Sequence, residues 1–458
     1  MTEGKLRAWI SFPGAPYTQA SAVKACGDVL LPLGWEIEEG DGSEAPVSQQ
    51  LYLADYDLLP FEQLHPASFT PDSIKPLLPQ LSSYPIRKSL IRKNYLASSL
   101  HAAQLKKGSN KRITPATWVF EATCADDLDE LLMDDLYDVR EALEKGEGKW
   151  FILKPAMADR GMGIRLFNSV DTLREIFDEF DAEDSDGESE QESEQGKEEG
   201  KTEEKEAERQ TQEQEQTQKG EAERAYYQTA STVVMMSQLR HFVIQDYICD
   251  PFLVTPPGAS QKHKFHLRAY VLAQGSLRVF LYDEILALFA PLPYAHPSSS
   301  PDGSGNLRAH LTNTCLQGAT SFATVHLLDD LKDRLGGQAV LDDIKRQTNE
   351  VVAEAFSSAA SAGRIHLQTW PHAWELFGVD LIVSNAEAGA SPSVLLLEIN
   401  AQPDFAQSGP ELQGKIDQLF TRTLQITVLD QGTEAWSVGE SRDRMTLSLD
   451  LTLSAGGW

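Results

Sequence analysis

Phe377-Gly-Val-Asp380-Leu-Ile-Val383 and Val394-Leu-Leu-Leu-Glu398-Ile-Asn400 decide how the rest of this chain is read. Both are apolar runs of strand length, the kind a sheet buries on two faces, yet each carries a carboxylate where a core residue belongs. Glu398 and Asn400 are two apart, so on a strand they point to the same face. A buried carboxylate without a partner is costly enough to take up a proton instead. Asp380, Glu398 and Asn400 together supply hard oxygen donors on two strands, the ligand type that magnesium prefers and shares with phosphates. Either strand alone reads better as a strand end paired with a surface cation; the two together favour the metal.

Working upstream, Lys264-Phe-His266-Leu-Arg268-Ala-Tyr270 alternates Lys264, His266 and Arg268 on one face with Phe265, Leu267 and Ala269 on the other. Three potential cations in a row suit a triphosphate, Arg268 as a fork and Lys264 as a point charge. The plain alternative is a half-exposed antiparallel strand. Lys154 ends the apolar strand Trp150-Phe-Ile-Leu, and Gly161 and Gly163 follow in a short loop where backbone could approach phosphate closely. Phe242-Val-Ile-Gln245-Asp-Tyr247-Ile248 is a strand running into a hinge that could present backbone to a base edge and Ile248 to its face. There is no Gly-Lys-Ser/Thr phosphate loop, and no Gly-x-Gly-x-x-Gly follows the first strand.

Composition sets the background. The chain has 458 residues, 41% hydrophobic, and a formal charge of −29, which argues against general affinity for nucleic acid. Four scattered cysteines form no CxxC pair, and neither a secretory signal nor a membrane span is read, so a cytoplasmic protein is expected. From Asp181 to Ala225 there are 18 acidic and 6 basic residues, and the region 181–229 is expected to be a disordered acidic insertion. The opposite pole is Ile86 to Arg112, with eight basic residues and no acidic one. In so acidic a chain that patch points to an anionic partner, for which nucleic acid or an acidic peptide would both qualify, and Arg87, Lys88, Arg92 and Lys93 are the candidate contacts for an acidic tail.

Three regions are expected: a small α/β lobe over 1–85, a central lobe over 86–246 holding the insertion, and a C-terminal lobe over 247–458. The pattern predicts helices over Thr18–Leu33, Asp126–Lys145 and Ile344–Ser358. Strands are predicted over Leu6–Ser11, Trp35–Glu38, Trp150–Lys154, Phe242–Gln245, Lys264–Ala273, Leu277–Tyr282, Leu376–Val383 and Val394–Ile399. The last thirty residues carry no recognisable chemistry.

The order of these motifs, with His310-Leu-Thr-Asn313 between the Lys-Phe-x-Leu-Arg strand and the Phe-Gly-x-Asp strand, resembles the tubulin-tyrosine ligase-like family from about Tyr84 to Phe420. The resemblance implies an α+β ATP-grasp fold in which two lobes hold ATP. It implies ATP and magnesium as cofactors, with Lys154, Gly161, Gly163, Lys264, His266, Arg268 and Asn313 around the phosphates. Gln245, Tyr247 and Ile248 would hold adenine, and Asp380, Glu398 and Asn400 the metal. Arg268 and Glu398 are the candidate catalytic residues. The implied chemistry joins an amino acid to a protein carboxylate through an acyl phosphate, an acidic tail such as tubulin's being a candidate substrate.

Three positions depart from the family pattern. His266 stands where aspartate is usual, Asp246 where lysine is common, and Ala287 in Ile285-Leu-Ala-Leu-Phe-Ala where a phosphate-contacting arginine is expected. The departures resemble a fungal branch associated with processing bodies and mRNA decapping. The alternative expectation is therefore an interaction module that keeps a nucleotide pocket.

Overall fold

The computed structural model describes residues 5–46, 48–66, 79–108, 112–146, 148–158, 161–191, 240–299, 307–312, 323–385, 392–430 and 435–452, with backbone only at 182–191 and 407. Two compact units emerge: Met1–Thr114 with Asp250–Tyr294 and Ala319–Trp458, and Pro115–Cys249 with Ala295–Gly318. The first is called the large unit and the second the small unit.

The large unit opens with a four-stranded parallel sheet in the order β2-β1-β3-β4, from β1 (Arg7–Ser11), β2 (Glu36–Glu39), β3 (Leu51–Ala54) and β4 (Gln80–Leu81). Helix α1 (Pro16–Val29) starts on a proline, whose missing N–H costs nothing in a first turn, and buries Ala22, Ala25, Cys26 and Val29. Helices α2 (Lys88–Ile91) and α3 (Lys93–Lys107) follow, and Gly108 ends α3 in the left-handed conformation at φ 58°. Both helices belong to the large unit. The expected boundary at 86 is corrected accordingly: Leu90, Leu96 and Leu100 share a core with the C-terminal strands and cannot leave it without exposing apolar surface.

The small unit is an antiparallel sheet in the order β5-β8-β6-β7, from β5 (Thr117–Glu121), β6 (Phe151–Pro155), β7 (Arg165–Phe167) and β8 (His241–Asp246). One face buries Phe120, Phe151, Phe167 and Phe242 with Phe177 and Phe180 of α6 (Val170–Gln191). The predicted helix over 126–145 is in fact two, α4 (Asp127–Leu131) and α5 (Tyr137–Glu144). Glu130, Asp134 and Asp138 would stack at successive i,i+4 positions in one continuous helix, and that repulsion favours the break. The acidic stretch is also corrected at its start, because α6 runs through Gln191 and Asp181 accepts a bond from the Ala125 N–H at 2.7 Å. The rest of that stretch, 192–229, lies outside the described residues. The other face of the sheet gathers Trp150, Ile152, Leu166, Tyr247 and Leu311, the last just after α7 (Leu307–His310).

The large unit's second sheet is built on β9 (Phe265–Gln274). On one side of it run β10 (Arg278–Tyr282) and β11 (Leu286–Phe289), with β12 (Val325–Leu327) beyond β11; on the other runs β13 (Trp374–Ser384), then β14 (Ser393–Ala401). The hairpin of β15 (Ser441–Arg442) and β16 (Met445–Asp450) pairs with β10, so the last thirty residues, which carry no recognisable chemistry, supply a strand to the sheet. Helices α8 (Lys332–Leu335), α9 (Gln338–Ser361) and α10 (Gln413–Leu424) complete the unit. Leu267, Ala269 and Val271 share a core with Val351, Ala355 and Phe356 of α9. Tyr270 and Leu272, on the other face, share one with Cys26 of α1 and Leu419 and Phe420 of α10. The half-exposed alternative for β9 is thereby excluded: the strand is buried on both faces. Among the described residues no helix is long and apolar enough to cross a membrane.

Candidate functional site

Register puts the charged residues together. Asp380 lies opposite Arg268 on β9 and opposite Glu398 on β14, while Asn400 lies opposite Gly378. Residues opposite one another in a ladder share a face, and so do residues two apart, so His266, Arg268, Asp380, Glu398 and Asn400 form one surface across three strands. The same-face relation predicted for Glu398 and Asn400 extends to the whole set.

Its geometry is tight. Arg268 Nε donates to Asp380 Oδ1 at 2.5 Å and Nη2 to Oδ2 at 3.0 Å, a bidentate pair of which both members are nearly buried. Asn400 Nδ2 donates to Asp380 Oδ2 at 3.1 Å, and His266 Nε2 stands 3.6 Å from Oδ1. Burial lowers the His266 pKa below the ordinary imidazole value, with Asp380 opposing, so the ring is neutral at pH 7. Burial works against the Arg268 charge as well, but Asp380 holds its pKa above the usual arginine value. Gly378 leaves room for Arg268: a Cβ added to it would lie 3.2 Å from Arg268 Cδ and 3.0 Å from Pro403 Cβ, so these neighbours would have to give way.

These residues fit a magnesium ion. The Nδ2 of Asn400 is committed to Asp380, which leaves the amide oxygen as the donor it can offer, beside the Asp380 and Glu398 carboxylates. Among the described residues no three His, Cys, Asp or Glu side chains form a metal cage, and a two-carboxylate set is the kind magnesium completes with phosphate and water.

The basic segment divides. Lys93 Nζ lies 3.6 Å from Glu398 Oε2, which brings the predicted peptide-binding lysine to the predicted metal ligand. Lys88 is exposed and Arg92 half-buried. Arg87 is not a solvent-facing cation: its guanidinium carbon sits 3.8 Å from the centre of the Tyr56 ring, and Nε pairs with Glu375 Oε1 at 2.8 Å. The expectation that Arg87 contacts a peptide is corrected, because burial has given it a structural partner. Glu375, which the sequence reading passed over, is 1% exposed and also accepts from the Tyr84 N–H. It was detectable by the signal that exposed Asp380, a carboxylate inside the apolar strand Trp374-Glu-Leu-Phe.

Ala287 is also reassigned. It pairs with Leu267 and is fully buried in the core that α9 covers, whereas Leu286 and Leu288 lie opposite Arg268 and His266. An arginine at 287 would enter the core, so the position that lacks a cation on the charged face is Leu286 or Leu288. Lys264, immediately before β9, is buried.

In the small unit, Lys154 Nζ donates to Gln245 Oε1 at 2.9 Å, and Gln245 Nε2 donates to Thr117 Oγ1 at 3.0 Å. Tyr247 is buried, its hydroxyl 2.8 Å from His310 Nδ1, and Ile248 is half-buried beside it. Gly161 and Gly163 take φ of 81° and 68°, values that side chains with a Cβ rarely adopt. Asn313 lies outside the described residues. The sequence reading passed over Thr117, whose role rests on a contact between strands.

Comparison with known proteins gives the family and the fold. Residues 73–435 match the model of the tubulin-tyrosine ligase family. The chain is 36% identical over 358 residues to the probable tubulin–tyrosine ligase PBY1 of Saccharomyces cerevisiae, covering 76% of this chain and 42% of that protein. It is 33% identical over 355 residues to a probable tubulin–tyrosine ligase of Schizosaccharomyces pombe, covering 76% of each. The chain thus spans less than half of the S. cerevisiae relative. It superposes at a TM-score of 0.62 and 26% identity, over 98% of this chain and 99% of the other, on the C-terminal domain of K. lactis Pby1, described as an ATP-grasp enzyme interacting with the mRNA decapping enzyme Dcp2. The fold is the α+β ATP-grasp fold, and the chain belongs to the tubulin-tyrosine ligase family.

Proposed function

We propose that this protein is an ATP- and magnesium-dependent ligase that joins an amino acid to the carboxylate of a protein or peptide. The observation that carries the reading is the charged face of β9, β13 and β14: two carboxylates, an amide and an arginine held together in a buried sheet. A sheet pays a desolvation cost for such a cluster, and a triphosphate with its metal is what the set suits. Asp380, Glu398 and Asn400 would hold the magnesium, which supplies neutralisation of phosphoryl charge. Within the large unit Arg268 and Lys264 would meet phosphate oxygens; within the small unit Lys154 would meet phosphate and Tyr247 with Ile248 a base.

In the reaction, a substrate carboxylate oxygen attacks the γ-phosphorus and the bond to the β-phosphate oxygen breaks, giving an acyl phosphate and ADP. An amine then attacks the acyl carbon, inorganic phosphate leaves, and the amine gives up a proton. The protein's share is positioning and charge neutralisation. Lys93, beside Glu398, would draw an acidic substrate toward the metal ligands, with Lys88 and Arg92 on the same short stretch.

Calorimetric titration of magnesium-ATP into the wild type and Glu398→Gln tests the reading. Binding that weakens in the variant supports it, and absence of binding in both removes it. A second reading is favoured by the description of the K. lactis relative: a module that engages the decapping machinery. In that case Glu398→Gln would leave partner capture intact.

A further inference from the structure

The hydrogen bonds that begin at Lys154 run in one direction. An ammonium is a donor only, so the Gln245 atom facing Lys154 Nζ at 2.9 Å must be its carbonyl oxygen. That choice turns Nε2 toward Thr117, whose hydroxyl accepts at 3.0 Å. Having accepted, the hydroxyl sends its own proton to the carbonyl of Pro115 at 2.8 Å. Ammonium, amide, hydroxyl and backbone carbonyl form a chain with no ambiguous link.

The strands explain why these three side chains meet. Thr117 and Ile152 both lie opposite Gln245, from β5 and β6, and Lys154 is two residues beyond Ile152 on the same face. Gln245 therefore bridges its neighbours on both sides. A lysine carries about 2 kcal/mol of rotamer entropy on a flexible stem, so its charge is poorly placed unless something fixes it. An ammonium has three N–H donors, and the bond to Gln245 fixes the direction of one of them.

We infer that Thr117 is a positioning residue: through Gln245 it orients the Lys154 ammonium for the phosphates of a bound nucleotide. This rests on the nucleotide-binding reading above, and it also gives Gln245 a task other than contacting the base. The chain ends on a main-chain carbonyl of the sheet edge, so the orientation is set by the backbone.

Magnesium-ATP and adenosine are titrated calorimetrically into the wild type, Thr117→Val, Thr117→Ser, Lys154→Ala and the double variant Thr117→Val with Lys154→Ala. Thr117→Val is expected to weaken magnesium-ATP about 5- to 10-fold and adenosine less than about twofold, since only phosphates feel Lys154. Thr117→Ser, which keeps the hydroxyl, is expected to restore wild-type affinity. The double variant is expected to bind no more weakly than Lys154→Ala. The inference is overturned if Thr117→Val binds magnesium-ATP like the wild type, loses ATP and adenosine alike, or adds its full loss to that of Lys154→Ala. Thr117→Ala carries the same comparison if Thr117→Val does not fold. A wild type that binds no nucleotide overturns both the nucleotide reading and this one, whereas nucleotide binding indifferent to Thr117 overturns this one alone.

Discussion

Arg268 and Asp380 stand directly opposite each other on β9 and β13, and the carboxylate takes both arms of the guanidinium at 2.5 and 3.0 Å. Removing one member of a nearly buried pair strands the other charge away from water. Asp380→Ala is expected to cost about 3–5 kcal/mol of folding stability, as measured by urea unfolding. A loss under about 1 kcal/mol, the range of an exposed pair, would show that the pair is not desolvated in solution.

Three of the four cations read together from the sequence are expected to separate on mutation. Arg87→Ala should cost stability, roughly 2–4 kcal/mol, because it removes a guanidinium stacked on Tyr56 and leaves Glu375 buried without its charge partner. Lys88→Glu and Arg92→Glu should change stability by less than about 0.5 kcal/mol while weakening binding of a polyglutamate peptide. Thermal unfolding and fluorescence anisotropy check the two halves, and equal effects at all three positions would contradict the division.

Glu375 should give stability a pH dependence of defined sign. Burial raises its pKa from 4.5 to about 7, against the pull of Arg87. A carboxyl raised in the folded state favours folding when protonated, so its contribution is full below pH 4.5 and is lost as pH rises through about 7. Relative to Glu375→Gln, which cannot titrate, the wild type should therefore lose stability between pH 5 and pH 8. Urea unfolding of both at these two values measures it. A difference that stays flat, or grows in the wild type's favour with pH, would mean that the Arg87 pair outweighs burial.

Supplying a cation at 287 should fail. Ala287 is fully buried opposite Leu267, so Ala287→Arg is expected to destabilise by more than about 4 kcal/mol without improving magnesium-ATP binding. Leu288→Arg places the charge on the face of His266, and is expected to fold better than Ala287→Arg. Comparison of soluble yield and melting temperature decides between the two positions.

The sequence by itself determined the elements that carry chemistry. An apolar strand with a carboxylate inside it is legible because burying charge is costly and needs a reason, and period-two alternation assigns Glu398 and Asn400, or His266 and Arg268, to one face with no knowledge of neighbours. Order along the chain then carried the family. Partnership was left to the tertiary structure. That Asp380 meets Arg268, that Lys93 meets Glu398 while Arg87 turns inward to Glu375, and that Ala287 faces the core all follow from strand register and helix packing. Register is fixed by side chains far apart in sequence, and a shift of one residue exchanges the two faces of a strand. A sequence shows which faces a strand has; packing decides what each face meets.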